Sequence, residues 1–151
     1  MLEPLSYRGI ADLALVKVNI ALPGVENARK IAYYIENVLT KSECDRLIME
    51  TERLKYIPAL LNTGYGQVLD TEVRNNTRCM LDSIPDSTEI YARIGHLLPP
   101  VMYKLAGLNE RLRYLKYDPG ERFNPHLDGC YKRNERECSY VTLQLYLNEG
   151  M

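Results

Sequence analysis

The chain has 151 residues, of which 46% are apolar, with a formal net charge of −1 and a sequence pI near 6.1. This length is enough for one domain with a hydrophobic core. The near-neutral charge excludes the strongly basic surface that binding to nucleic acid or to an anionic membrane requires, so we expect neither partner.

Apolar runs and cysteine spacing bear on the compartment. No apolar run reaches the roughly 18 residues of a membrane span, and no charged-then-apolar leader is present, so we expect neither a transmembrane helix nor a signal peptide. The four cysteines, at positions 44, 79, 130 and 138, show no CxxC spacing. This pattern predicts buried or inert thiols in a reducing compartment, cytoplasmic or nuclear.

The first half of the chain predicts strands around one helix. Apolar residues alternate with others over 16–22, which predicts a half-buried strand, and a second strand is expected over 30–36. Thr40-x-x-Glu43 is a capping box that should start a helix whose apolar stripe packs on a sheet. Two further strands, over 56–61 and 74–81, are expected on either side of a polar loop, 62–71.

A second helix is expected to follow. Asp86 or Ser87 can cap it, and its apolar face would carry residues 90, 94, 97 and 98. Pro99-Pro100 should interrupt this helix, and a short helix to Ala106 would end at Gly107.

The last quarter of the chain contains the candidate site residues. Asp118-Pro119-Gly120 predicts a turn that joins a strand over 111–117 to one over 122–128, and 139–148 is rich in β-branched and aromatic residues, as strands are. In a strand, His126 and Asp128 lie on one face, about 6.6 Å apart along the backbone. With a third ligand they would form a two-histidine, one-carboxylate iron site; alone, they are more typical of a surface strand with two polar residues.

The pattern as a whole resembles a known family. The run 112–117, Pro119-Gly120, Phe123, His126-x-Asp128 and the run 141–148 closely resemble, in order and spacing, the prolyl 4-hydroxylase-like 2-oxoglutarate and Fe(II)-dependent dioxygenases. The resemblance implies an α+β fold with a double-stranded β-helix, or jelly-roll, core behind N-terminal supporting helices. It divides a single domain, 1–151, into an N-terminal extension, 1–28, and the N-terminal part of a dioxygenase domain, 29–151.

The resemblance also implies residue roles. His126 and Asp128 would be catalytic as two of the three Fe(II) ligands, while Tyr117 and Tyr146 would contact the cosubstrate 2-oxoglutarate. Asn124, which shares the parity of His126 in the strand, is a possible neighbour of the ligands. Ascorbate would keep the iron reduced, and the expected substrate is a peptide or protein, by family prevalence at a prolyl residue, hydroxylated with release of succinate and CO2.

The C-terminus departs from the family pattern. The family continues beyond the loop that Asn148-Glu149-Gly150 begins to a distal histidine and to an arginine or lysine for the cosubstrate carboxylate, whereas this sequence stops at Met151. We therefore expect two of three ligands, an incomplete β-helix and exposed strand edges that can pair with another chain. The only other histidine, His96, is expected to be a helical, partly exposed residue rather than the third ligand.

Two alternatives remain open at this stage. One is a catalytically inactive fragment that acts as a binding or regulatory module through the same surface. The other is a small zinc-binding module that uses His126, Asp128, Cys130 and Cys138.

Overall fold

A computed structural model describes residues 14–99 and 104–149 of the chain. The chain divides into two compact units, one of Met1–Cys44 with Ser83–Glu110 and one of Asp45–Asp82 with Arg111–Met151. The short helix expected before Gly107 falls partly on 100–103, outside the described residues, and 104–106 form no helix. The first half of the expected N-terminal extension, 1–13, likewise lies outside the described residues.

The described part of the chain is a mixed structure of two α-helices and short strands that pair antiparallel. In chain order these elements are β1 (Val16–Asn19), β2 (Tyr33–Glu36), α1 (Lys41–Arg53), β3 (Ile57–Pro58), β4 (Leu61–Thr63), β5 (Gly66–Val68), β6 (Thr77–Asp82), α2 (Ile84–Ile94) and β7 (Arg111–Lys116). None of the helices in the described ranges is both long enough and apolar enough to cross a membrane.

The first unit is built on the β1–β2 ladder. Val16 pairs with Glu36 and Asn19 with Tyr33, which confirms both predicted strands in shorter form. The Lys17 ammonium and the Tyr33 hydroxyl both donate to the carbonyl oxygen of Leu97, at 2.9 and 3.1 Å. These bonds tie the strand pair to the short 3-10 helix Gly95–Leu97 that follows α2.

The capping box at the start of α1 forms as predicted. The Thr40 amide donates to Glu43 Oε2 at 2.8 Å, and the Glu43 amide donates to Thr40 Oγ1 at 3.2 Å. Two backbone donors at the helix start are thereby satisfied by side chains.

Glu43 also forms an ion pair with Arg93, the buried cation of the first unit. Arg93 is 5% exposed and donates from Nη2 to Glu43 Oε1 at 2.8 Å, from Nη1 to the Val38 carbonyl at 2.9 Å, and from Nε to Glu89 at 2.9 Å. Burial raises the pKa of Glu43, but the bonds from Arg93 and Thr40 outweigh it and the pKa is lowered overall. A fully bonded ion pair thus lies beside the apolar side chains of Ile90 and Ile94.

The cap of α2 differs from the sequence prediction. Ser83, not Asp86 or Ser87, is the N-cap: its Oγ accepts from the Asp86 amide at 3.3 Å and donates to Asp86 Oδ2 at 2.8 Å. Asp86 is therefore the third helical residue, and the Ser83 amide donates to the Glu110 carbonyl at 2.8 Å instead of to Asp86, so the cap is a simple serine N-cap. The helix begins at Ile84, three or four residues before the start that a cap at Asp86 or Ser87 would give.

The second unit is organised around a three-stranded sheet in the order β3–β6–β7. Lys116 at the end of β7 pairs with Glu52 of α1 at 2.8 Å, and the Tyr56 hydroxyl donates to Thr51 Oγ1 at 2.8 Å. These two bonds connect α1 to the end of β7 and to the residue before β3, while the packing of its apolar stripe on a sheet stays a prediction. The predicted loop 62–71 instead contains the β4–β5 hairpin, in which Leu61 pairs with Val68.

The predicted strands 122–128 and 139–148 are wrong for this structure. Neither segment contains a strand; Phe123 makes one isolated bridge, to Arg74, and 139–148 is irregular. A strand exists only where a neighbour supplies the ladder hydrogen bonds, and no described strand pairs with either segment. The α+β composition is confirmed, but the double-stranded β-helix is not.

Candidate metal centre

The segment that carries the candidate ligands follows β7 through a tight turn. The Glu121 amide donates to the Asp118 carbonyl at 2.9 Å, and Gly120 has a φ of 89°, a left-handed conformation that favours glycine. The predicted turn is confirmed. The predicted hairpin is not, because the chain beyond the turn leaves β7.

Segment 122–124 is held instead by residues 72–75. The Asn124 amide donates to the Val73 carbonyl at 3.0 Å, and the Arg122 amide donates to Asn75 Oδ1 at 2.6 Å. The Asn124 side chain adds a bond to the Glu72 carbonyl at 3.1 Å. These bonds fix the backbone from which His126 projects two residues later.

The structure brings His126 and Asp128 together. Nε2 of His126 lies 3.3 Å from Oδ1 of Asp128, and their side chains are 38% and 57% exposed. Two donor atoms that bind one first-row metal ion at right angles, each about 2.1 Å from it, are about 3 Å apart. The predicted convergence of the two side chains is present, although no strand produces it.

The tautomer of His126 follows from its other ring nitrogen. Nδ1 lies 2.8 Å from the Asn124 carbonyl oxygen, which can only accept, so Nδ1 carries the hydrogen. In a neutral ring Nε2 then presents a lone pair towards the Asp128 carboxylate. Two electron-rich atoms this close repel each other unless a proton or a cation lies between them, so the geometry fits an imidazolium–carboxylate ion pair as well as a shared metal ion.

Two neighbouring side chains, one aromatic and one polar, orient the candidate ligands. Phe123 stacks on the His126 ring with centroids 3.6 Å apart and an interplanar angle of 18°. The Thr142 hydroxyl donates to Asp128 Oδ2 at 2.6 Å, which leaves Oδ1 directed at His126. Both contacts orient a ligand without touching the metal position, as outer-shell groups of metal sites do.

The two donors suit a divalent metal ion, but a third protein ligand is not supplied by 14–99 or 104–149. Within those ranges no three His, Cys, Asp or Glu side chains gather closely enough to hold a metal. The described residues do not show the four-ligand cluster that the zinc-module alternative requires, because Cys130 and Cys138 do not join His126 and Asp128. Both cysteines are exposed free thiols, whereas Cys79 is a buried one, and the prediction was of thiols that are buried or inert. His96 is exposed in a 3-10 helix, as expected.

The two tyrosines lie in different surroundings. Tyr117 is half-buried immediately after β7. Burial lowers the pKa of Arg74, and the neighbouring Tyr117 phenol opposes this change without reversing it. Tyr146 is 67% exposed and its hydroxyl donates to Gln144 Oε1 at 3.3 Å. No contact among the described residues joins Tyr146 to the ligand pair.

Sequence reasoning gave no role to three residues that the structure places at this site. Thr142 and Phe123 orient the ligands, and the Arg74 guanidinium lies over the Phe123 ring, 4.4 Å from its centroid. Thr142 and Phe123 were visible as parts of strand-like patterns, but their partners depend on the fold. A signal for Arg74 existed, because arginines recur with strand parity at 74 and 78 in the predicted strand 74–81.

Comparison with known proteins gives limited support. No family model matches the chain, and no solved structure matches it. The chain is similar to a plant protein named "Probable prolyl 4-hydroxylase 6" of Arabidopsis thaliana, with 26% identity over 121 residues. The matched segment covers 78% of this chain and 41% of the plant protein, so this chain spans less than half the length of that relative. The similarity supports a prolyl 4-hydroxylase-like relationship over the matched segment.

Proposed function

We propose that this chain carries the iron-binding part of an Fe(II)- and 2-oxoglutarate-dependent dioxygenase of prolyl 4-hydroxylase type. The observation that carries the proposal is the His126–Asp128 pair, whose facing Nε2 and Oδ1 atoms lie 3.3 Å apart. The similarity to the plant prolyl 4-hydroxylase supports the same reaction class.

His126 and Asp128 would hold Fe(II), and Tyr117 and Tyr146 would contact 2-oxoglutarate. Bound iron with this cosubstrate supplies oxidative chemistry in which dioxygen hydroxylates a C–H bond while 2-oxoglutarate becomes succinate and CO2, and ascorbate keeps the iron reduced. Peptidyl proline is the proposed substrate, because the relative is named for hydroxylating proline.

The contribution of this chain is to prepare the ligands before the metal arrives. The bond from Nδ1 to the Asn124 carbonyl selects the tautomer in which Nε2 is free to bind. The bond from Thr142 holds the carboxylate in one orientation, and the Phe123 ring shields one face of the imidazole from water. Ligands fixed in this way lose less conformational entropy when they bind a metal.

The first test is metal binding, measured by calorimetry with Mn(II) as an oxygen-stable substitute for Fe(II). We expect binding by the wild-type chain that strengthens when 2-oxoglutarate is added, and loss of binding in His126→Ala and in Asp128→Asn. Succinate release in the presence of Fe(II), oxygen and proline-containing peptides then tests the reaction and the substrate separately.

Two matched variants control for general damage. His96→Ala removes the other histidine and Asp118→Asn removes a nearby exposed carboxylate, and both should bind Mn(II) as the wild type does. Equal binding by all four variants would contradict the proposed metal centre. Mn(II) binding without succinate release from any peptide would keep the metal centre and favour a non-catalytic binding module.

A further inference from the structure

Arg78 is a buried cation with one neutral partner. The residue is 7% exposed, its Nη2 donates to Gln67 Oε1 at 2.9 Å, and its Nε is buried with no hydrogen-bond partner. Gln67 is itself bonded to Asn62. The neighbours of Arg78 therefore satisfy part of its donor capacity and none of its charge.

A second arginine projects from the same face of the sheet. Met80 of β6 pairs with Arg113 of β7, so Arg78, two residues before Met80, shares the face of Arg113. The opposite face of β7 is the one from which Lys116 reaches Glu52 of α1. Arg78 and Arg113 thus lie on the side of the sheet that is turned away from the helix.

A third arginine lies close to both. Arg74 precedes β6 and donates from Nε to Asn76 Oδ1 at 2.7 Å. Burial lowers its pKa, Tyr117 opposes that change, and the positive charges of Arg78 and Arg113 lower it further. Arg74 is therefore close enough to each of the other two guanidinium groups for their charges to act on it.

This arginine cluster, defined as Arg74, Arg78 and Arg113, has no carboxylate to balance it within the described residues. The ion pairs of 14–99 and 104–149 all involve other cations. A buried charge without a counter-ion is costly, and adjacent like charges add to the cost. An anion bound between these groups would offset both.

We propose that the arginine cluster is a binding site for a carboxylate group. Guanidinium groups match the planar, two-oxygen geometry of a carboxylate, and Arg78 offers an unused Nε–H to it. The site adjoins the candidate metal centre, because Arg74 and His126 both contact the Phe123 ring. The assignment of this carboxylate to a reactant rests on the proposed function. The existence of the anion site does not depend on that function.

The test uses the whole chain stripped of metal with a chelator, and glutarate as the probe. We expect calorimetric binding of glutarate that the uncharged diamide, glutaramide, does not reproduce. Arg78→Met should weaken glutarate binding by about tenfold or more, because charge-assisted hydrogen bonds are lost. Without anion, Arg78→Met should melt at the same or a higher temperature than the wild type, since an unbalanced buried charge is removed.

A purely structural Arg78 would behave in the opposite way, with a lower melting temperature in Arg78→Met and glutarate binding that is absent or unchanged. Arg111→Met is the matched control, because Arg111 lies on the same face of β7 but pairs with Asp82 at 2.8 Å. It should bind glutarate as the wild type does. If Arg78→Met does not fold, the exposed Arg113→Met replaces it with the same expected loss of binding.

The source of the carboxylate is decided by adding Mn(II) and 2-oxoglutarate. Competition between 2-oxoglutarate and glutarate for the arginine cluster would assign it to the cosubstrate, and simultaneous binding would assign it to an acidic substrate. His126→Ala in metal-free protein should leave glutarate binding unchanged, so failure of the metal centre and failure of the arginine cluster are distinguishable. Absence of glutarate binding to the wild type would overturn this proposal alone.

Discussion

Phe123 lies almost flat against His126, with ring centroids 3.6 Å apart, and it is the only phenylalanine in the chain. The same ring lies under the Arg74 guanidinium, whose Cζ is 4.4 Å from its centroid. One aromatic side chain therefore connects the candidate metal ligand to the segment on which the arginine cluster begins.

Replacing Phe123 should loosen the metal ligand. In Phe123→Leu the imidazole loses its stacking partner, and we expect Mn(II) affinity to fall by about tenfold, at the lower end of the effect of removing an outer-shell group. Leu127→Ala, next to His126 but 96% exposed, should leave the affinity unchanged. Calorimetry on both variants checks the prediction, and an equal loss in the two would contradict it.

Thr142 should act through its hydroxyl. Thr142→Val keeps the shape of the side chain but removes the 2.6 Å bond to Asp128, and we expect about tenfold weaker Mn(II) binding. Thr142→Ser, which retains a hydroxyl, should restore most of the affinity. If Thr142→Val and Thr142→Ser bind Mn(II) with the same affinity, the hydrogen bond does not orient the carboxylate.

Removing the cation of the first unit should destabilise the chain strongly. Arg93→Met leaves the Glu43 carboxylate, only 12% exposed, without its partner, and breaking a buried pair in this way costs about 3 to 5 kcal/mol. Denaturant unfolding measures the change. Arg111→Met, which breaks an ion pair with more than half of each side chain exposed, should change the stability far less.

The same ion pair predicts acid sensitivity. The pKa of Glu43 is lower in the folded chain than its ordinary value of 4.5, because the bonds from Arg93 and Thr40 outweigh burial. The stability it contributes is therefore present above pH 4.5 and is lost as the pH falls through the folded pKa. Glu43→Gln should be less stable at neutral pH and should lose less stability on acidification, which melting curves at several pH values will show.

The α2 cap can be tested with two serines. Ser83→Ala should lower the free energy of unfolding by about 1 kcal/mol, because the N-cap bond to the Asp86 amide is lost. Ser87, which the sequence offered as an alternative cap, bonds the Ile84 carbonyl inside the helix at 3.0 Å. Ser87→Ala should cost less than Ser83→Ala, and the reverse order would restore the cap predicted from the sequence.

Local features were predicted well because their partners are close in sequence. The Thr40–Glu43 capping box, both helices and the turn at Asp118–Gly120 depend on hydrogen bonds that span three or four residues. Strand assignment was less successful because the partner of a strand can be distant in sequence. A β-rich composition over 139–148 does not supply a neighbouring strand, and none pairs with it in the described chain.

For this protein, the sequence by itself identified the candidate metal ligands, His126 and Asp128, which are two positions apart and follow a turn. Only the tertiary structure decided how they meet, since segment 122–124 is held by bonds to residues 72–75, about 50 positions away. It also decided that Arg78 is buried without a counter-charge, which depends on the β6–β7 register. Residue type sets the chemistry that is available, whereas contacts distant in sequence set which groups face one another.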